Sequence, residues 1–124
     1  LRTLNRKTID RYLFFKISNV NLCVSILDFQ SVINIDNSKN KVTIYKHKRY
    51  NIRDLAEILK IDVKEKSLYG ITREKDVYLV YSILSVALPE KIIPFNQRIT
   101  GRKLYKNYIF FKGNVYLQID MERI

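Results

Sequence analysis

One histidine, one cysteine and a few carboxylates are the side chains placed suggestively enough to act as bases, nucleophiles or metal ligands. His47 stands between Lys46 and Lys48. Two flanking cations favour the neutral imidazole, and no adjacent carboxylate orients the ring. Cys23 alternates within the apolar run Leu22-Cys23-Val24, the setting of a small buried hydrophobe rather than of a reactive thiolate. Asp54 reads as a helix cap, Asp36 as loop chemistry and Asp120 as a strand end, and no paired-carboxylate or metal-ligand spacing links them. The 3 glycines, Gly70, Gly101 and Gly113, are too scattered for a dinucleotide fingerprint or a phosphate-cradling loop. A lone cysteine also excludes an internal disulfide framework and a cysteine-based zinc site. The expectation is a chain without catalysis, cofactor or metal.

Charge is the next feature with functional content. Lys and Arg number 23 against 12 acidic residues, a formal net charge of +11, which attracts acidic partners over long range. The basic residues are spread over both halves, and residues 44–53 and 91–119 contain no acid at all. Such runs ordinarily keep a surface wet, and a dedicated anion site is the sharper alternative. The 9 tyrosines and 6 phenylalanines interleaved with lysines raise a second class of function, nucleic-acid binding by base stacking on a basic β surface. Against it, most of these aromatics fall on alternating strand positions, where they fill a core.

The chain of 124 residues suits one domain, and at that length roughly two thirds of the unfolded surface is buried on folding. No run approaches the ~18 apolar residues of a membrane span, and the amino end LRTLNRKTID lacks the apolar core of a signal peptide. A cytoplasmic, reducing location is expected.

Hydrophobic alternation sets the elements. YLFFKI (12–17) places Leu13, Phe15 and Ile17 on one face, and LCVSIL (22–27) does the same with Leu22, Val24 and Ile26, which predicts a hairpin around residues 18–21. A polar loop (34–40), a strand near 42–46 and an extended piece at 49–52 follow. Asp54 with Glu57 three positions on resembles a capping box, and Leu55, Ile58 and Leu59 form one stripe, predicting a single short helix over 54–60. SLYGIT (67–72) and VYLVYSI (77–83) are strands joined by a turn at 73–76. The second has two apolar faces and is placed where two layers meet. Pro89 and Pro94 bracket a non-helical connection. YKNYIFF (105–111), a turn at Gly113-Asn114 and VYLQID (115–120) form the last hairpin.

As an ordered pattern the chain resembles a divergent CheW-like domain of the bacterial chemotaxis coupling family, from Tyr12 to Ile124. YLFFKISNVNLCVSILDFQSVI resembles the family's opening strands. TIYKHKRYNIRDLAEIL resembles the region with an Asn-Leu-Arg-Gly turn, a strand and a helix-starting Asp-Leu, here Asp54-Leu55. YLVYSILSVALPEKIIPF resembles the later strand and connection through Val86, Ile93 and Pro94, and GNVYLQIDMERI the final strand. Three positions depart from the pattern. The turn reads Ile44-Tyr45-Lys46-His47, keeping a charge but losing the glycine and the guanidinium; Asn51 replaces a usual proline; and Tyr81-Ser82 replaces a usual acid.

The resemblance implies a mainly β fold of two small five-stranded barrel-like subdomains packed together with one short helix. It implies a single domain over 1–124 whose two β subdomains divide near 60–66. It further implies a non-enzymatic adaptor that couples the cytoplasmic tips of chemoreceptors to a histidine kinase of the CheA type in chemotaxis signal transduction, by protein docking alone. Tyr45 and Lys46 in the matched turn, Arg53 near the helix entrance, and Phe29, Val32 and Ile33 as exposed apolar residues are the contacts it implies. A CheW-like scaffold outside chemotaxis is the alternative consistent with the altered turn.

Overall fold

The computed structural model describes residues 10–36, 38–95 and 104–124. Residues 1–9, Gly101 and the central part of the acid-free stretch 91–119 lie outside these.

The alternating runs become strands in the expected order. β1 (Tyr12–Ile17) and β2 (Val20–Ser25) form the first hairpin, with Ser18 at a φ of 54° in its turn. The second strand was expected to run to Leu27 and stops at Ser25. The Ser25 hydroxyl accepts the Leu27 N–H at 3.2 Å and caps a 3-10 turn over Ile26–Asp28, so Ile26 leaves the buried face. β3 (Ser31–Asn34), β4 (Val42–Tyr45) and β5 (Lys48–Asp54) come next.

The helix, α1, covers Leu55–Ile58 rather than 54–60. Asp54 caps it, its Oδ1 accepting the Ala56 N–H at 3.0 Å. The exit is a Schellman arrangement: the Lys60 N–H donates to the Glu57 carbonyl at 3.2 Å and the Ile61 N–H to the Ala56 carbonyl at 2.8 Å. Lys60 takes the left-handed position at a φ of 59°, which ends the helix two residues early.

β6 (Tyr69–Arg73) and β7 (Asp76–Val80) form a hairpin, and β8 (Ile83–Ala87) and β9 (Lys91–Pro94) follow. The single strand expected over 77–83 is therefore two. Ser82 has a φ of 44°, and the Lys16 N–H lies 3.3 Å from both the Tyr81 and the Ser82 carbonyl oxygens, so β1 takes over as partner and the chain changes sheets there. The segment bracketed by Pro89 and Pro94 contains β9 on a sheet edge, where a proline removes no central ladder bond. β10 (Tyr105–Phe111) and β11 (Asn114–Ile119) close the chain. Their turn falls one residue early, on Lys112 and Gly113 with φ of 49° and 76°, because Asn114 already pairs with Phe111.

Among the described residues eleven strands make a six-stranded sheet, β8-β1-β2-β11-β10-β9, and a five-stranded sheet, β3-β6-β7-β5-β4, each containing one parallel pair, β2 with β11 and β5 with β7. The fold is mainly β, in two packed units with one short helix; the units have six and five strands where five each were expected. Residues 31–80 supply one sheet and the flanking segments the other. The crossings lie at 25–31 and 81–83, while 60–66 connects α1 to β6.

Both faces of β1 are buried. Leu13, Phe15 and Ile17 join Leu22, Val24, Ile71, Val77, Leu79 and Ile119 in the main core shared with the five-stranded sheet and Leu55 of α1. Tyr12 and Phe14 point the other way, into a second core with Cys23, Ile109 and Tyr116. All of that second cluster comes from the six-stranded sheet itself, so the sheet curls around it. Phe14 stacks on Phe111 at 4.4 Å and meets Tyr116 edge-on at 4.7 Å. Burying a side chain such as Phe14 or Leu13 completely contributes roughly 1.5–3 kcal/mol.

Candidate protein-docking site

The change of sheets at Tyr81-Ser82 opens a cleft at the junction of the two units. Val32 of β3, Leu68, Tyr69 of β6, Val80 of β7 and Ile83 of β8 line it, with Glu65 and Lys66 on the rim, enclosing about 510 Å³. Leu68, Tyr69 and Val32 are 57%, 42% and 40% exposed. Exposed apolar side chains gathered in one concavity are the surface that protein partners cover.

The walls are fixed by hydrogen bonds. The buried Ser67 hydroxyl lies 2.7 Å from the Val80 carbonyl oxygen and 2.9 Å from that of Tyr69, tying the approach to β6 against β7. The Ser82 hydroxyl reaches both Glu65 carboxylate oxygens, at 3.0 and 3.2 Å. Beneath, the Tyr81 hydroxyl donates to Asp54 Oδ1 at 2.8 Å. Burial raises the Tyr81 pKa, and the hydrogen bond to Asp54 with the charges of Asp54 and Glu65 raises it further. The phenol remains a proton donor in a structural bond.

A second hollow, about 380 Å³, shares Val32 with the first and is lined by Ile33, Asn34, Asp36, Thr43, Ile44 and Tyr45. It lies between β3 and β4, the two edges of the five-stranded sheet, which must therefore curl toward each other. At its mouth is the β4–β5 turn, Lys46 and His47 at φ of 50° and 65°. Lys46, His47, Lys48 and Arg49 are all exposed, and Lys46 Nζ sits 5.4 Å from the Tyr45 ring centroid.

Of the residues singled out from the sequence, Val32, Ile33 and Tyr45 line these two hollows, and Lys46 follows Tyr45 in the turn beside the second. Ile33 corrects an expectation: it is 2% exposed and belongs to the main core. Val32 and Ile33 pair with Ile71 and Gly70, and neighbouring residues of a strand face opposite ways, so Val32 is the exposed one of the two. Phe29 also differs, being half-buried against the core in a separate hollow with Leu27, Gln30 and Arg73. Arg53 is occupied elsewhere: its Nη1 lies 3.3 Å from the Tyr78 hydroxyl and 4.0 Å from Asp76 Oδ2, with the guanidinium 5.3 Å from the Tyr78 ring centroid. Leu68, Tyr69 and Ile83 were not singled out. Alternation carried no signal for the first two: Leu68 and Tyr69 are both exposed while Gly70 and Ile71 after them are both buried, a pattern that period two does not produce.

His47 is exposed, and Cys23 is fully buried, with a thiol pKa raised by that burial. Among the described residues no three or more His, Cys, Asp or Glu side chains gather where they could hold a metal. No described helix is long and apolar enough to cross a membrane.

No protein-family model matches the chain, and no curated protein matches it in sequence. Solved structures do. The scaffolding protein TtCheW from Thermoanaerobacter tengcongensis superposes with a TM-score of 0.72 at 15% sequence identity, over 90% of this chain and 89% of that one. The order of strands, the two packed units and this superposition together give the chain a CheW-like fold.

Proposed function

We propose that the chain is a non-enzymatic adaptor that couples the cytoplasmic tips of chemoreceptors to a histidine kinase of the CheA type, acting as one domain over 1–124. The observation that carries the reading is the apolar cleft at the junction of the two sheets, on a fold shared with a scaffolding protein. Docking draws on the exposed Val32, Leu68 and Tyr69 for affinity and on the basic β4–β5 turn to steer an acidic surface. Tyr45 and Lys46 contact the partner from that turn; Phe29 and Arg53 act at the periphery.

Nucleic-acid stacking is less well supported, because Tyr12, Phe14, Phe15, Tyr50, Tyr78, Tyr81, Tyr105 and Tyr116 are buried and offer no ring face to a base. The test is titration of the purified protein against a CheA-type regulatory domain, a receptor-tip fragment and a single-stranded oligonucleotide, each at two salt concentrations. Leu68→Asp is expected to lower affinity for one protein partner at least tenfold, and Lys46→Glu to slow association more than Lys112→Glu. Tight, steeply salt-dependent oligonucleotide binding with no measurable kinase or receptor binding would overturn the adaptor reading.

A further inference from the structure

Among the described residues four strands form sheet edges, β9, β3, β4 and β8, and β8 is the least protected of them. β9 carries Lys91 and ends in Pro94, the charged and proline-bearing kind of edge that resists pairing. β3 and β4 face each other across the hollow described above. β8, at the other end of the six-stranded sheet, pairs with β1 on one side and with no described strand on the other. It holds no charge, and the chain is uncharged from Val77 to Pro89.

Its side chains are distributed as a docking edge requires. Ser85 and Ala87 pair with Phe14 and Tyr12 on the side of the second core. Leu84, Val86 and Leu88 are 50%, 52% and 43% exposed. An unpaired row of backbone donors and acceptors beside three exposed apolar side chains is the setting for β-strand addition.

We propose that β8 is a self-association edge and that its occupant is β8 of a second copy of this chain, paired antiparallel about a two-fold axis through Val86. Two observations select a second copy. The segment Leu84-Ser85-Val86-Ala87-Leu88 is nearly palindromic in size and polarity about Val86. An antiparallel pair centred there sets each Leu84 opposite Leu88 of the other copy, each Ser85 opposite Ala87 and Val86 opposite Val86, as an isologous contact demands. The second observation is charge: a chain of net charge +11 repels its own kind over most of its surface, and this edge lets two copies meet without opposing cations. The interface is small, so the dimer is transient and dissociates on dilution.

The experiment combines sedimentation with single-cysteine cross-linking of the full chain. Cys23 is fully buried and serves as an internal blank. Val86→Cys is expected to form a covalent dimer under diamide, while the parent chain and Leu27→Cys, exposed in the 3-10 turn outside β8, do not. Wild type is expected to shift from monomer to dimer across a hundredfold concentration series, and Val86→Lys, folded by circular dichroism, to stay monomeric. A wild type that is monomeric throughout, a dimer undiminished by Val86→Lys, cross-linking at Leu27→Cys as fast as at Val86→Cys, or association beyond the dimer would each overturn the proposal. The kinase and receptor titrations vary Leu68 and Lys46, neither of them on β8, so failure of the dimer and failure of the adaptor reading are distinguishable.

Discussion

Asp54, the last residue of β5, and Tyr81, in the link between β7 and β8, meet at one oxygen: Asp54 Oδ1 accepts the Tyr81 hydroxyl at 2.8 Å and the Ala56 N–H at 3.0 Å. A single carboxylate thus caps α1 and anchors the residue at which the chain leaves one sheet for the other. Tyr81→Phe and Asp54→Ala are each expected to cost about 1–3 kcal/mol, since each leaves a polar partner unsatisfied. In a double-mutant cycle by urea denaturation the pair is expected to couple by about 1–2 kcal/mol. Additive effects would show that the bond contributes nothing of its own.

The same phenol shapes the alkaline limb of stability. Burial raises the pKa values of Tyr81, Tyr12 and Tyr78 above the ordinary 10.0, and that of Cys23 above 9.0. In the native state these groups keep their protons while the unfolded chain loses them. Their contribution is therefore complete below the unfolded pKa values and drains away as pH rises through 9 and 10 toward the native ones. The thermal midpoint is expected to fall above pH 9, and Tyr81→Phe to make that fall shallower, as read by circular dichroism melts across pH 7–11.

Of the seven described non-glycine residues at positive φ, two have the largest values: His47 at 65° in the β4–β5 turn and Lys60 at 59° in the exit of α1. His47→Gly and Lys60→Gly are each expected to raise stability by about 0.5–1 kcal/mol, the relief of the left-handed penalty less the entropy of a freer unfolded chain. The readout is the urea midpoint at unchanged slope.

Gly70 is required for a different reason. A Cβ built there meets Val77 Cγ2 at 2.5 Å and the Tyr78 carbonyl oxygen at 3.3 Å, within the floor of the β6–β7 pair. Gly70→Ala is expected to destabilise by about 1–3 kcal/mol. Calorimetry of the variant tests this, and a midpoint equal to the parent's would show that β6 yields freely.

Period-two alternation made the strands legible, because a strand's face is a local property: Leu13-Phe15-Ile17, Val42–Tyr45 and the Gly113 turn all lie at or within a residue of where spacing alone puts them. Asp54 as a cap was equally local. The resemblance in strand order carried the fold further than any single motif, since the superposed scaffold shares only 15% identity.

Sheet membership was not local. Whether 77–83 runs on as one strand depends on β1, more than sixty residues earlier in the chain, offering the Lys16 N–H to Tyr81 and Ser82. Whether Val32 or Ile33 faces a partner depends on the register of β3 against β6, and a slip of one residue would exchange them. The cleft draws Val32, Leu68 and Ile83 from segments that meet only after the two parallel pairs, β2 with β11 and β5 with β7, have closed. Composition and spacing determine which residues alternate. Tertiary structure alone decided which alternating faces found cover and which stayed open, because cover is supplied by strands distant in sequence.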